Sequence, residues 1–346
     1  MREYGVGIVG TGAIAAVHAE SVIQARGARL VACYNHTRAK GEAFARKYSI
    51  RFHETLEAFM SDPQVEIVMI ATPSASHYEA AMAAIDHRKK AVIIEKPIEA
   101  TVEAGNAIVE AARKAGVMLS GIFQSRFFPS SLAVRDAIDR GRFGRITMLG
   151  CQFNWYRSQE YYSDSPWHSA FGSGVLMNQG IHAIDLMCWF GGEVESVSAF
   201  CATLGHSGLE VEDTAAACLR FTSGALGTIE GTTASWPGFL KRIEVCGTEG
   251  SVILEDESIS AWQFRQELPE DEEIRRRFAR ASSAGGANDP MAISGSGHAA
   301  SVQDVIDALN EGREPFITGE EAMKAVRVVE ACLRSGGSPV APGGEK

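Results

Sequence analysis

The chain lacks what a nucleic-acid or membrane partner would require. Its formal charge is −10 and no basic block offsets it, so a polyphosphate backbone or an anionic bilayer finds no electrostatic footing. No apolar run approaches the length of about 20 residues that a spanning helix needs. The seven cysteines, at 33, 151, 188, 201, 218, 246 and 332, are odd in number, scattered and free of C-x-x-C spacing. That argues against a disulfide framework or structural zinc and for reduced thiols in a cytoplasmic compartment. No H-E-x-x-H or comparable cluster has metal-ligand spacing, so no metal is expected. The amino terminus, MREYGVGIVG, enters a strand-like segment within a few residues and leaves no room for a signal peptide. What is there is a chain of 346 residues, 45% hydrophobic and 22% charged, an ordinary globular composition with enough length for two domains.

Over residues 1–123, short apolar runs at 4–9, 30–34, 65–70, 91–94 and 117–122 alternate with helical patterns at 14–26, 38–48, 74–87 and 102–115. Continuous apolar strands separated by helices predict a doubly wound α/β domain with a parallel sheet covered on both faces. Beyond Phe127 the texture changes. A helical stretch at 131–140 ends at Gly141 and Gly144, and Thr/Ser-rich strand-like runs follow at 146–155, 194–201, 215–221, 225–233, 242–246 and 251–254. Strands joined by short Gly turns predict a second, α+β domain over 124–334 with an antiparallel or mixed sheet. Residues 266–290, charged and then rich in Ser, Gly and Ala, read as a mobile loop or lid. Helical patterns at 301–309 and 319–334 are expected to pack back onto the body, and 335–346 reads as a tail.

The segment GIVGTGAIAAVHAE sets Gly10, Gly12 and Ala15 as G-x-G-x-x-A directly after the first strand. In strand–turn–helix context this is a dinucleotide-binding turn. Gly10 permits the tight bend, Gly12 the approach of a pyrophosphate, Ala15 close helix packing, and the helix start favours the anion. Thr11, Ala13 and Ile14 complete the turn. The second strand ends in Asn35, followed by His36, Thr37 and Arg38. An acid there would repel a 2′-phosphate; Asn35 does not and Arg38 is able to pair with one, which favours NADP(H) over NAD(H) while leaving NAD(H) open. After the next long apolar run, ATPSASH puts Thr72, Pro73 and His77 where open parallel sheets bind ligands, although a helix cap is the more economical reading of Ser74 and leaves His77 ambiguous too. The strand-like run at 91–94 leads into Glu95 and Lys96 before Pro97. A lysine there enters the cleft at the nicotinamide end, or else snorkels to the rim beside Glu95 or Glu99.

In GVLMNQGIHAIDLMCWF, residues Asn178, His182 and Asp185 fall at i, i+4 and i+7 in an otherwise apolar stretch. On a buried helix they form one polar stripe that must face partners or a cavity. A satisfied core histidine with a structural carboxylate is the competing explanation.

The ordered set GTGAIA, ATPSASH, IIEKP, GIFQSRF and VLMNQGIHAID resembles the Gfo/Idh/MocA family along essentially the whole chain. The resemblance implies a Rossmann domain followed by a domain with a large open-faced, mostly antiparallel sheet that builds dimers or tetramers. It also implies that Lys96 and His182 share an active site. Many members have aspartate where this chain has Asn178, and an amide exchanges no proton at neutral pH. That departure leaves Asn178 to orient or bind; a subgroup acting on sugars and sugar nucleotides carries the same Asn-Gln-Gly-Ile-His run. Asp185 is expected to position substrate hydroxyls or His182.

The implied chemistry is oxidation of a secondary alcohol of a sugar, cyclic polyol or sugar derivative, or the reverse. His182 carries the proton and the Lys96 cation stabilises the alkoxide. Gln124 and Arg126 suit the substrate end of the cleft, Arg126 being equally suited to an ion pair between domains. Trp167, in the aromatic stretch NWYRSQEYYSDSPWHS, suits stacking on a sugar ring or an aromatic core or subunit interface. Two rival functions stay open: a non-catalytic dinucleotide-binding metabolite sensor, and a glycosidase that uses bound cofactor transiently.

Overall fold

The computed structural model describes residues 2–279 and 296–344. The chain divides into two compact units, one of Met1–Gln124 with Ser294–Met323, the other of Ser125–Ile293 with Lys324–Lys346.

The first unit alternates strand and helix: β1 (Tyr4–Val9), α1 (Ala13–Gln24), β2 (Ala28–Tyr34), α2 (Arg38–Tyr48), β3 (Arg51–His53), α3 (Leu56–Met60), β4 (Ile67–Ile70), α4 (Tyr78–Asp86), β5 (Ala91–Ile94), α5 (Val102–Ala115) and β6 (Met118–Gly121). All six strands pair in parallel, in the order β3-β2-β1-β4-β5-β6. The order reverses beside β1, so the carboxyl ends of β1 and β4 open the crevice where such sheets take ligands. Every residue of β1, β4 and β5 is buried, which is why those runs are continuously apolar rather than alternating. β3, only three residues long, is the strand that the apolar runs do not reveal.

In the second unit, helix α6 (Pro129–Asp139) leads to β7 (Ile146–Asn154), a short α7 (Gln159–Ser163), a π-helical segment (Val175–Gly180) and α8 (Ile181–Gly191). Then follow β8 (Val194–Ala202), β9 (Thr214–Phe221), β10 (Leu226–Thr232), β11 (Arg242–Gly247), β12 (Gly250–Glu255), β13 (Ser258–Phe264) and α9 (Pro269–Arg277). The seven strands run β13-β12-β11-β7-β10-β9-β8, antiparallel throughout except for the β10–β7 pair. Strict alternation on β9, with Ala215, Ala217, Leu219 and Phe221 buried and the residues between them facing out, gives one packed face and one open face. On the open face the registers align Phe200, Ala216, Glu230 and Gln152, and Leu226 beside Met148. Phe200 is 72% exposed and Leu226 51%.

Helix α10 (Ser296–Glu311) belongs to the first unit, where Val302, Val305 and Ile306 join the core formed by β1 and α1. The division between units falls within α11 (Gly319–Ser335). Two sequence expectations need correction. The stretch at 266–290 is not loop throughout: Pro269–Arg277 forms α9, with Asp271 holding Arg142 at 2.6 and 2.8 Å and the Trp262 indole at 2.6 Å. The part of that stretch from 280 onward lies outside the described residues. Residues 335–340 do not trail either. Val340 exchanges backbone hydrogen bonds with Val197 at 2.8 Å, and Ser198 donates to the Gly337 carbonyl at 2.7 Å. Among the described residues no helix is long and apolar enough to cross a membrane.

Candidate active site

In the first unit the candidate cofactor cradle is the glycine-rich turn between β1 and α1. Gly10 has φ +91°, and a β-carbon there would lie 2.6 Å from the Ala71 carbonyl oxygen, so only glycine fits. Gly12 precedes the first turn of α1, with no protein atom within 4 Å of where its side chain would begin. Ala15 behind it is fully buried. The result is an open surface of backbone N–H groups at a helix start, backed by a close helix–strand contact, and it fits a dinucleotide pyrophosphate. Thr11, Ala13 and Ile14 line the same turn.

At the end of β2 the Asn35 amide donates to the Thr11 hydroxyl, and its oxygen accepts the Thr37 N–H at 2.9 Å. Asn35 therefore ties the ribose end of the cradle to the turn. His36 is exposed. Arg38 is 68% exposed and already held by two acids, Glu42 at 2.8 Å and Glu54 at 2.7 Å.

The loop after β4 differs in detail from its sequence reading. Ser74 does not cap α4, which begins at Tyr78; Glu99 does, accepting the N–H groups of His77 at 3.1 Å and Tyr78 at 2.9 Å. His77 is fully buried, and its two ring nitrogens lie 2.9 Å from the carbonyl oxygens of Pro97 and Thr72. It pins one loop to the other and leaves no ring nitrogen for a ligand, a correction to its reading as a cofactor contact. Thr72 and Pro73 remain at the loop's rim, Pro73 exposed.

Glu95 also departs from its reading as a cofactor contact. Its carboxylate is buried and bound by His18 Nε2 at 2.7 Å, while its other oxygen accepts the Lys96 backbone N–H at 3.0 Å. Burial would raise this acid, but the hydrogen bond and charge of His18, with His298 and Lys96, outweigh it and hold Glu95 at about 2. Lys96 is partly exposed at the end of β5; burial pushes its ammonium below the usual range and Glu95 opposes that shift. Gln124, just past β6, has a buried amide oxygen with no hydrogen-bond partner among the described residues.

In the second unit the candidate residues centre on residues 174–190. Glu212 starts the segment: its backbone carbonyl accepts Val175 N–H at 2.9 Å and its carboxylate accepts Leu176 N–H at 3.0 Å. A β-carbon on Gly174 would fall 2.1 Å from that carboxylate, so a small residue is needed there. Burial pushes the Glu212 carboxyl above its usual range against the pull of Leu176. The helix then runs in π form from Val175 to Gly180 and α form from Ile181. The single α-helical stripe predicted for Asn178, His182 and Asp185 is therefore broken. Local π turns recur at functional sites because they re-aim one side chain without ending the helix.

Asn178 and His182 stay partly exposed, whereas Asp185 is fully buried. Along α8 nearly every other residue is buried, with Trp189 and the terminal Gly191 the further exceptions. Asn178 lies 3.5 Å from the Tyr161 hydroxyl, as does the Gln179 amide. Asp185 takes Arg126 in a two-point ion pair at 2.7 and 2.9 Å, each side chain only 1% exposed. Arg126 also lies over the Trp189 ring at 5.5 Å. The sequence reading assigned Asp185 to substrate hydroxyls or His182, and Arg126 to substrate or an ion pair between domains; the structure instead pairs the two with one another, inside the second unit. Lys241, buried and 3.3 Å from the Ser125 hydroxyl, is a further group that the sequence reading missed; burial lowers it.

Trp167 is 40% exposed and packs on His168, which stacks flat on Tyr161 at 4.0 Å. His18 and His298 were not singled out because each is defined by a partner distant in sequence, whereas Tyr161 lies in the aromatic stretch already noted.

A parallel sheet with a glycine-turn cradle at its carboxyl edge defines the first unit as that of an NAD-binding oxidoreductase. Residues 4–123 match the oxidoreductase family with the NAD-binding Rossmann fold, and residues 131–253 match the GFO/IDH/MocA C-terminal domain. Inositol 2-dehydrogenase 2 of Saccharopolyspora erythraea is 28% identical over 339 residues, 95% of this chain and 92% of that protein. Inositol 2-dehydrogenase of Rubrobacter xylanophilus is 31% identical over 254 residues, 71% of this chain and 70% of that protein. The WlbA dehydrogenase of Bordetella pertussis, solved with NADH and UDP-GlcNAcA, has a TM-score of 0.88 at 29% identity, covering 99% of this chain and 100% of that one. The chain belongs to the Gfo/Idh/MocA family of oxidoreductases.

Proposed function

We propose that the protein interconverts a secondary alcohol and a ketone on a sugar, cyclic polyol or sugar derivative, using a nicotinamide dinucleotide. The observation that carries this reading is His182: the partly exposed imidazole of a helix whose acid, Asp185, is already closed into an ion pair. His182 takes the hydroxyl proton on oxidation and returns it on reduction. Lys96, as a cation, stabilises the alkoxide, and Asn178 orients the substrate because an amide exchanges no proton. Gln124 and Trp167 complete the substrate contacts. The dinucleotide is held by Gly10, Thr11, Gly12, Ala13 and Ile14 at the pyrophosphate, by Asn35, His36, Thr37 and Arg38 at the ribose, and by Thr72, Pro73 and Lys96 toward the nicotinamide. When bound it supplies the hydride acceptor or donor that the reaction requires.

Both cofactors are accepted in this reading, with NADP(H) preferred. Asn35 repels neither, and Arg38 reaches a 2′-phosphate by exchanging exposed pairs with Glu42 and Glu54 that are individually weak. The exposed apolar side chains of the open sheet face, Phe200, Leu226 and Met148, support assembly into a dimer or tetramer through that face.

The test is a panel of inositols, aldoses, keto-sugars and UDP-GlcNAcA with NAD+ and NADP+, followed by the absorbance of the reduced cofactor. Turnover with one class and its keto product is expected. Cofactor binding without turnover of any member would point to a sensor, and glycoside cleavage without net cofactor reduction to the glycosidase cycle.

A further inference from the structure

His77 is sealed from solvent, and each nitrogen of its ring faces a backbone carbonyl. Nδ1 lies 2.9 Å from the Pro97 oxygen and 3.3 Å from that of Ile98, and Nε2 lies 2.9 Å from the Thr72 oxygen. Its backbone N–H goes to the Glu99 carboxylate at 3.1 Å, which also accepts the N–H groups of Tyr78 at 2.9 Å and Ala100 at 2.7 Å. One residue at the start of α4 therefore reaches two loops of the first unit: that after β4, with Thr72 and Pro73, and that after β5, with Lys96 and Pro97. The first of these is a closed turn in itself. The Thr72 hydroxyl donates to the Ser76 carbonyl at 3.1 Å, and the Ser76 N–H and hydroxyl donate to the Pro73 carbonyl at 3.0 and 2.7 Å. Holding Thr72 thus holds the turn.

A carbonyl oxygen accepts hydrogen bonds and donates none. A neutral imidazole carries one N–H and one bare lone pair. Between two carbonyls it makes one bond and sets the other nitrogen's lone pair against an oxygen at 2.9 Å. Turning the ring over puts carbons in place of both nitrogens and loses both bonds. Only the doubly protonated ring gives each carbonyl a donor. Bulk water does not reach a ring with 0% exposure, so a mismatch there is not relieved by solvent. The charge such a ring carries is met by the two carbonyl oxygens and by the Glu99 carboxylate fixed on the backbone of the same residue.

We infer that His77 is a buried imidazolium whose two N–H groups each hold one loop, and that it is the positioning residue for Thr72 and Lys96. The functional part rests on the reading of Lys96 as the cation at the reacting oxygen and of Thr72 as a contact toward the nicotinamide. The protonation of the ring does not rest on that reading. With both bonds made, the turn at Thr72 and the segment that follows Lys96 keep one spacing, which the cofactor and the Lys96 side chain share. A histidine that served folding alone would do so as a neutral tautomer with a single bond. Its loss would lower stability and leave the kinetic constants of a folded variant where they were.

The experiment records the ring nitrogens of the full-length protein labelled with [15N]histidine at neutral pH. His77 is identified by the resonances lost in His77→Gln or, should that variant not fold, by the proximity of its ring protons to Thr72 and Pro97. Two protonated nitrogens with slowly exchanging protons are expected; one protonated and one bare nitrogen overturns the inference. Turnover then tests the positioning. His77→Leu, which has no donor, is expected to raise the cofactor KM and lower kcat by about tenfold each, the scale of one hydrogen bond from a charged group. His77→Gln, which keeps an N–H donor, should fall between that variant and the wild type. Wild-type constants in both folded variants overturn the positioning role. Should neither variant fold, the ring spectrum of the wild type carries the test. Full activity of Lys96→Ala, with both ring nitrogens of His77 still protonated, removes the catalytic reading of Lys96 and leaves the imidazolium standing.

Discussion

Asp185 gives both of its carboxylate oxygens to the Arg126 guanidinium, at 2.7 and 2.9 Å, in a place with 1% exposure on either side. A pair so enclosed is expensive to break from one side, because the survivor is a buried charge. Asp185→Asn or Arg126→Met should each cost about 3–5 kcal/mol in urea unfolding, and the double variant Arg126→Met/Asp185→Leu distinctly less than the sum. Folded Asp185→Asn should keep its substrate KM within a few-fold. A large rise in KM without loss of stability would return Asp185 to the substrate site.

Arg38, bracketed by Glu42 and Glu54, should control cofactor choice. Arg38→Ala is expected to raise KM for NADP+ by about tenfold, the scale of one charge-assisted hydrogen bond, with NAD+ unaffected. Glu54→Gln should lower KM for NADP+, since the guanidinium no longer has to leave that acid. Equal effects on both cofactors would show that Arg38 does not read the phosphate.

Acid stability should follow Asp271 and Glu95. The Arg142 hydrogen bonds, against the cost of burial, hold Asp271 well below its ordinary 3.8, and the His18 contact, again against burial, holds Glu95 at about 2 rather than 4.5. Both are carboxyls depressed in the folded state. Their stabilisation is complete above the unfolded values and is lost as pH falls through the folded ones. The urea midpoint should therefore decline from about pH 4.5 toward pH 2, and Asp271→Asn should lower it more at pH 7 than at pH 2. A midpoint flat across that window contradicts the assignment.

The open sheet face should report on assembly. Phe200→Glu with Leu226→Lys places charges where large apolar side chains are 72% and 51% exposed, and sedimentation should show a smaller species than the wild type. An unchanged sedimentation coefficient would place the contact elsewhere.

How far the sequence could be read depends on the range of each interaction. The glycine turn and the buried strands β1, β4 and β5 were legible because local spacing and continuous apolarity encode them. β3 was not, since three residues carry no periodicity. The π segment was invisible for another reason: no local spacing marks the change of helical form, and the Glu212 groups that hold Val175 and Leu176 come from far along the chain. With it went the single polar stripe, which assumed one regular α-helix. Arg126–Asp185 and His18–Glu95–His298 are partnerships across the chain, so composition could name each residue but not its neighbour. His77 looked like a ligand contact because its position was right, and only its two carbonyl partners show that both nitrogens are spent.

The central claim is that Lys96 and His182 do the chemistry, and steady-state kinetics of Lys96→Ala and His182→Ala on the panel's best substrate test it most directly. Each variant should lose about 10²–10⁴-fold in kcat, the usual worth of a positioned proton carrier or charge stabiliser. Cofactor affinity in His182→Ala should stay within a few-fold. Turnover within a few-fold of wild type in both variants would contradict the account.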